Sequence, residues 1–354
     1  MAALHNNLFT ILLLSLIFLL SGTSWVNGSS SSTNNELPTK LFVFGDSFVD
    51  TGNTPNKSIS SWKVPYGITF PGKPSGRFSN GRVWTDYIAS FLKINSPFPY
   101  KSGNNIANMD QLKNGMNFAY GGPGLFDTDE NLPNITTQID YFNEMIKNKN
   151  FTTLDLQSSV VLVSLGINDY LTYFLGNGST TPQEWKSTIK QVVNQLVMDL
   201  SRIQATGVKK ILVDGLHPVG CIPYIAAATS YKMCDNSTNE LIQFYNLLLQ
   251  QSIGRLNSLA KGDNFLYLDL YTAFFNVFKS PGNSPGSLVF QNPLKPCCTG
   301  KSSEYSCGDV DAKGSKQYTL CKNPNSSFFW DAFHPTQEAW LKVYMALQSV
   351  LQRI

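Results

Sequence analysis

The sequence predicts an α/β fold with a doubly wound parallel sheet, because short buried strands alternate with longer amphipathic helices. Compact runs rich in Val, Ile, Leu and Phe have the composition of strands covered on both faces. These runs are Lys40–Phe44, Met116–Ala119, Val160–Leu165, Lys210–Val213 and Phe265–Leu268. Apolar residues also recur at three- and four-residue steps, as they do in helices packed along one side. These helical segments are Pro182–Ala205, Asn239–Leu259 and Gln337–Leu351. Thr238 or Ser237 is the expected N-cap of the second helix.

The N-terminus has the pattern of a secretory signal peptide. A mainly apolar run, Leu8–Leu20, is followed by small residues and a cleavage site after Gly28. The run is shorter than the roughly 20 residues that span a membrane, which disfavours the alternative of an anchor. No repeat or charge block divides the remainder. We therefore expect a signal peptide at 1–28, a disordered leader at 29–39 and a single domain at 40–354, secreted without a transmembrane anchor.

All the cysteines follow the leader, and their even number in a secreted chain predicts disulfide bonds. They are Cys221, Cys234, Cys297, Cys298, Cys307 and Cys321. Their spacing contains no paired C-x-x-C that would indicate zinc, and no metal or other cofactor is expected. We expect one local loop between Cys221 and Cys234, and an insertion cross-linked by the other four. The full connectivity stays open.

Six sequons mark candidate glycosylation sites of a secreted chain. They begin at Asn56, Asn134, Asn150, Asn177, Asn236 and Asn325. The 27 basic and 24 acidic residues are spread along the chain and give a net charge of +3. Without a Lys/Arg cluster, neither nucleic acid nor an anionic membrane is expected as the main partner, and the oligomeric state stays open.

Candidate catalytic residues follow the predicted strands, where an open parallel sheet binds its ligands. Ser47 comes just after Gly45, which tolerates a sharp turn, and would act either as an exposed nucleophile or merely as a helix cap. Asn168 follows the third strand and would either donate its amide to an oxyanion or form an ordinary turn. The Gly-Gly-Pro-Gly segment at 121–124 offers backbone N–H groups to a ligand or is simply a tight loop.

The pattern D-x-x-H-P occurs twice, at Asp214–His217 and at Asp331–His334. In one helical turn the acid and the base of such a pair can face the same side. The aspartate would fix the imidazole tautomer, and the imidazole would take a proton from serine. Local spacing does not choose between the two histidines. The G-x-S-x-G sequence around Ser284 lacks the strand and helix of a nucleophile elbow and is rejected.

Four segments together resemble the plant GDSL esterase/lipase family of the SGNH hydrolases. They are Gly45–Ser47, Gly122–Gly124, Gly166–Asp169 and Asp331–His334, which occur in the family's order and extend over nearly the whole mature chain. The resemblance implies a flavodoxin-like three-layer sandwich with a central parallel sheet. It also implies that Ser47 is the nucleophile, His334 the base and Asp331 the residue that orients the base.

The resemblance further implies an oxyanion hole formed by the Ser47 N–H, Asn168 and a glycine of the second segment. We assign that glycine to Gly124, with Gly122 as the alternative. His217 stands where most relatives carry proline, in a loop without a catalytic role.

The predicted function is that of a secreted esterase or lipase that cleaves carboxylic esters through an acyl-enzyme. An acyltransferase would use the same residues and stays open. A non-catalytic carbohydrate- or lipid-binding protein is disfavoured, because Ser47, Asn168 and His334 are all present. A lipid, a cell-wall ester and a specialised metabolite all stay open as substrate, and Trp62–Gly67 is expected near the pocket entrance.

Overall fold

A six-stranded parallel sheet forms the centre of the structure, a computed structural model that describes residues 37–55, 59–100, 109–177, 181–279 and 290–354. Side by side, the strands are β2 (Phe98–Pro99), β3 (Gly115–Asn117), β1 (Lys40–Gly45), β4 (Ser159–Ser164), β5 (Lys210–Asp214) and β6 (Phe265–Leu268). Every neighbouring pair is parallel. Strands β2 and β3 lie on one side of β1, and β4, β5 and β6 follow on the other side, so the strand order reverses beside β1. Ligands bind at such a reversal point in open α/β sheets.

Helices cover both faces of the sheet and complete three layers. The α-helices are α1 (Trp84–Phe91), α2 (Ile135–Lys147), α3 (Thr153–Gln157), α4 (Ile167–Asn177), α5 (Pro182–Ala205), α6 (Pro223–Ala226), α7 (Asn236–Ala260), α8 (Leu270–Lys279) and α9 (Gln337–Leu351). Helices α2, α5 and α7 pack beside one another, and α1, α8 and α9 form a second group. Both groups contact the sheet, which confirms the predicted α/β sandwich.

The predicted strands are all present, with bounds that move by at most two residues. Helices α5 and α9 have the predicted bounds, whereas α7 begins three residues early, at Asn236. Its N-cap is Asp235, whose carboxylate accepts the Thr238 N–H at 2.7 Å. The expectation that Ser237 or Thr238 caps this helix is therefore wrong, because both lie inside its first turn.

The core lies between the sheet and its helices and is rich in aromatic side chains. Phe42 and Phe44 of β1 are fully buried and pack against Phe142 of α2 at centroid distances of 4.6 and 5.6 Å. Burial of a side chain of this size typically contributes about 1.5–3 kcal/mol. Such packing fixes β1, and with it the position of the residues that follow the strand.

Three disulfide bonds join all six cysteines: Cys221–Cys234, Cys297–Cys321 and Cys298–Cys307. This confirms the predicted local loop and the cross-linked insertion. The insertion carries the small antiparallel pair β7 (Cys298–Gly300) and β8 (Tyr318–Leu320). It is hydrogen-bonded to the segment before α9, because the Cys297 and Cys298 N–H groups donate to the Phe329 and Trp330 carbonyls at 3.0 and 2.7 Å.

Several sequence predictions concern residues that the structure does not describe. The expected signal peptide, most of the leader, Asn56, the side chain of Asn177 and Ser284 all lie outside the described residues. Within the described residues, 37–354 form one compact unit. No helix in that part of the chain is both long and apolar enough to cross a membrane.

Candidate active site

Ser47 lies at the carboxyl end of β1, in the turn that leaves the sheet. The strand ends at Gly45, where φ is +156° and a side chain would collide with the Ser164 carbonyl of β4, so glycine is needed. The Asp46 carbonyl then accepts the Asp50 N–H at 3.0 Å, which closes a single helical turn. Ser47 retains 8% exposure and faces a cleft.

A continuous hydrogen-bonded chain joins Ser47, His334 and Asp331. Ser47 Oγ lies 2.8 Å from His334 Nε2, although 287 residues separate the two in sequence. His334 Nδ1 lies 2.9 Å from each oxygen of the Asp331 carboxylate. Because a carboxylate can only accept, Nδ1 carries the proton and Nε2 is left to accept the Ser47 O–H. This tautomer is the one that a general base requires.

Asp331 and His334 are held together by a tight loop rather than by the helical turn that their spacing suggested. Helix α9 begins only at Gln337. Asp331 Oδ1 instead accepts the N–H groups of Phe333 and His334, both at 2.8 Å, while the Trp330 N–H donates to the His334 carbonyl at 2.7 Å. The short loop thus fixes acid and base in one local unit.

Tyr66 provides a further contact to Asp331 that the sequence did not indicate. Its hydroxyl donates to Asp331 Oδ2 at 2.6 Å, and Tyr66 is only 2% exposed. Burial favours a raised pKa for Asp331, but His334, the Tyr66 hydroxyl and the Phe333 N–H outweigh it and hold the pKa below its usual value. Asp331 is therefore charged at neutral pH.

Asn168 contacts the second glycine segment, and both line the cleft that contains Ser47. Asn168 stands in the first turn of α4, and its Nδ2 donates to the Pro123 carbonyl at 2.9 Å and lies 3.5 Å from Asp46 Oδ2. Gly121 and Gly122 line the cleft together with Ser47, Asn168 and His334. The structure thus brings Ser47, Asn168, His334 and the alternative glycine, Gly122, together around one cleft.

Gly124 is not placed at the cleft, in contrast to our expectation. It packs against Asp169, whose carboxylate oxygens would lie 2.5 Å from a side chain at that position. Asp169 accepts the N–H groups of Leu125 and Phe126, both at 2.9 Å, and thereby holds this part of the loop against α4. Gly122, with φ of +102°, lines the cleft together with Gly121, whose N–H already donates to Thr54 Oγ1 at 2.6 Å.

Two buried acids, Asp46 and Asp169, accept hydrogen bonds from the loops around Ser47. Burial raises the pKa of Asp46 to about 7 and that of Asp169 to about 6. Asp46 also accepts the Phe48 N–H at 3.0 Å. Both carboxyl groups thus hold loops in place.

The second D-x-x-H-P pair does not form an acid–base couple. His217 is 1% exposed, and its ring lies between Phe48 and Phe274 at centroid distances of 4.8 and 5.1 Å. Asp214 accepts a hydrogen bond from Trp84 Nε1 at 3.3 Å instead. Among the described residues, Asp214 Oδ2 and His217 Nε2 have no hydrogen-bond partner. Burial lowers the pKa of His217 to about 3, so its ring is neutral.

The cleft around Ser47 has a volume of about 610 Å³ and is lined by both apolar and polar side chains. Ser60, Lys63, Glu130 and Asp309 are among the polar residues along it, and Lys63 forms an ion pair with Asp309 at 3.0 Å. Lys63 belongs to the 62–67 segment that was expected near the pocket entrance. The cleft that contains Ser47 therefore offers charged and hydrogen-bonding side chains as well as apolar surface.

Comparison with known proteins identifies the family. The model of the GDSL-like lipase/acylhydrolase family matches residues 41–347. The chain belongs to this family. Among its relatives are two from Arabidopsis thaliana, GDSL esterase/lipase At5g03610 and GDSL esterase/lipase At3g09930. The first is 49% identical to this chain, and the aligned region covers 97% of this chain and 95% of the relative. The second is 46% identical, and the aligned region covers 96% of this chain and 97% of the relative.

Among solved structures, an acetylxylan esterase from Geobacillus stearothermophilus, Axe2, is similar at 13% identity, with a TM-score of 0.40 over 89% of this chain and 96% of that one. As a member of a lipase and acylhydrolase family with close esterase/lipase relatives, the chain is a carboxylic ester hydrolase.

Proposed function

We propose that this ester hydrolase works through an acyl-enzyme on Ser47, with His334 as general base and Asp331 as its orienting acid. The observation that carries the proposal is the 2.8 Å contact between Ser47 Oγ and His334 Nε2, continued at 2.9 Å to Asp331. These are hydrogen-bond distances at which a base can accept the proton of its nucleophile.

The reaction begins when Ser47 Oγ attacks the ester carbonyl and its proton passes to His334 Nε2. The tetrahedral intermediate collapses, the carbon–oxygen bond to the alcohol breaks, and His334 returns the proton to the leaving oxygen. A water molecule then attacks the acyl-enzyme, again giving its proton to His334, and the acid is released as Ser47 is restored. Asp331 remains ionised and stabilises the imidazolium in both half-reactions.

The negative oxygen that forms in each half-reaction needs preorganised donors. We assign this role to the Ser47 N–H, the Gly122 N–H and the Asn168 amide. Gly122 replaces Gly124 because Gly122 lines the cleft with Ser47 and Asn168. The Asn168 amide is anchored by Pro123 through one hydrogen, and its long 3.5 Å contact with Asp46 leaves the other weakly held and available to an oxyanion.

The test of this mechanism is direct observation of the acyl-enzyme. Rapid mixing with p-nitrophenyl acetate is expected to release a burst of p-nitrophenol equal to the enzyme concentration. Quenched samples should gain one acetyl group on the peptide that contains Ser47, as measured by mass spectrometry. Ser47→Ala should show neither signal. A burst with the acetyl group on another residue would refute the assignment of the nucleophile.

We also propose that the protein is secreted and glycosylated. Three disulfide bonds support an oxidising compartment. Of the sequon asparagines whose side chains the structure describes, Asn236 is exposed, whereas Asn134, Asn150 and Asn325 are partly buried. Asn134 also caps α2 and donates to Asp127 at 2.8 Å, so Asn236 is the preferred site. The secreted protein should begin near Ser29 and lose mass with a glycosidase; an intact N-terminus would contradict secretion by cleavage.

A further inference from the structure

A second cavity, separate from the cleft, lies between helices α4, α5 and α7. It has a volume of about 590 Å³, within the usual range of small-molecule sites. Its walls are dominated by large apolar side chains, whereas its charged members, Lys186 and Glu240, are exposed. Its apolar members include Leu171, Ile225 and Leu241. We call this cavity the apolar pocket.

The apolar pocket adjoins the cleft through shared and stacked residues. Leu171 of α4 lines both cavities. Tyr224 lines the pocket and stacks on Phe333, which lines the cleft beside His334, at a centroid distance of 5.1 Å. The Tyr224 N–H also donates to the Ala332 carbonyl at 2.9 Å, which fixes this wall to the loop that carries Asp331 and His334.

The two cavities differ in chemistry in a way that matches the two halves of an ester. The cleft carries charged side chains, among them Lys63, Glu130 and Asp309, beside its apolar ones, and can accommodate an alcohol with hydroxyl groups. The apolar pocket can remove a hydrocarbon chain from water, which is favourable in proportion to the apolar area buried. Leu171 stands where a chain would pass from one cavity to the other.

We propose that the apolar pocket binds the acyl chain of the substrate, so that the enzyme prefers esters of medium or long apolar acids over acetyl esters. This inference rests on the proposed acyl-enzyme at Ser47, because Ser47 lines the same cleft as Leu171, and Leu171 also lines the apolar pocket. An acetyl group would leave the pocket empty and gain nothing from it.

The test compares p-nitrophenyl octanoate with p-nitrophenyl acetate below the solubility limit of both. The wild-type protein should have a kcat/KM for octanoate higher by about tenfold or more, because several methylene groups leave water. Leu241→Trp, which fills the pocket from α7, should lower the octanoate-to-acetate ratio by about tenfold. Leu247→Trp is the matched control, since Leu247 lies on the same helix, is 50% exposed and does not line the pocket.

The outcomes separate this inference from the proposed function. Acetyl transfer to Ser47 together with a preference for acetate over octanoate would overturn the acyl pocket and leave the mechanism standing. An unchanged ratio in a folded Leu241→Trp protein would also overturn it. If that variant does not fold, Ile225→Trp makes the same test from α6, which also lines the pocket. A folded wild-type protein inactive on both esters would reject the mechanism itself.

Discussion

Removal of the Tyr66 hydroxyl tests whether Asp331 needs support beyond its own loop. The 2.6 Å hydrogen bond from Tyr66 to Asp331 is buried, and hydrogen bonds to charged groups are worth about 1.5–3 kcal/mol. In Tyr66→Phe this stabilisation of the carboxylate is lost, so Asp331 pairs less well with the imidazolium that forms in the transition state. We expect kcat to fall by about 10- to 100-fold. KM should change little, because Tyr66 does not line the cleft.

The pH dependence of kcat provides a second test of the Tyr66→Phe variant. The Tyr66 hydrogen bond favours the charged form and helps to hold the pKa of Asp331 below its usual value. Its loss raises that pKa, so the carboxylate becomes protonated at higher pH. The acid limb of kcat against pH should therefore move upward in Tyr66→Phe.

Tyr318→Phe is the matched control for this experiment. Tyr318 belongs to the same buried cluster as Tyr66, with Trp330 and the cysteines of the insertion, but it makes no described contact with Asp331. Kinetics of p-nitrophenyl acetate hydrolysis between pH 4 and pH 9 provide both parameters. A Tyr66→Phe protein with the wild-type kcat and pH profile would refute the positioning role.

Two further variants test the oxyanion donor and the buried histidine. Asn168→Ala should lower kcat by about two to three orders of magnitude with unchanged thermal stability; a small effect would mean that Asn168 is only a turn residue. His217→Phe should keep most activity and gain stability at acid pH. Since burial lowers the pKa of His217 to about 3, the unfolded chain binds the extra proton below about 6.5, and this histidine alone costs the wild type about 2 kcal/mol between pH 8 and pH 5. Urea unfolding at both pH values should show that the stability of the variant relative to the wild type rises by about this amount from pH 8 to pH 5; an unchanged difference would contradict it.

The elements that could be predicted from sequence are those whose signal is local and repeated. β4 is a run of buried apolar residues, and α5 carries a long apolar period, so both were found close to their observed bounds. β2, in contrast, is only the two residues Phe98–Pro99 and has no periodicity to detect. The cap of α7 was misplaced because Ser, Thr and Asp are all good caps, and only the backbone shows that Asp235 stands before the helix.

The site residues that belong to short sequence motifs could be predicted. Those that come close to the site only because the chain folds could not be predicted. Ser47, Asn168, Asp331 and His334 follow strand ends or lie in a short pattern. Tyr66 lies 265 residues from Asp331 in sequence, and nothing near it indicates the contact. The choice between Gly122 and Gly124 depends on φ angles and on the position of Asp169, which adjacent glycines do not reveal.

The central claim is that His334, and not His217, activates Ser47. It is tested most directly by the rate at which a fluorophosphonate probe labels the folded protein, with the labelled residue identified by mass spectrometry. The probe should attach to Ser47 in the wild type and at a similar rate in His217→Ala. In His334→Ala the rate should fall by roughly three orders of magnitude or more, because the residues of such a triad act as a unit. Rapid labelling of Ser47 in His334→Ala, with none in a folded His217→Ala, would contradict the assignment of His334 and Asp331.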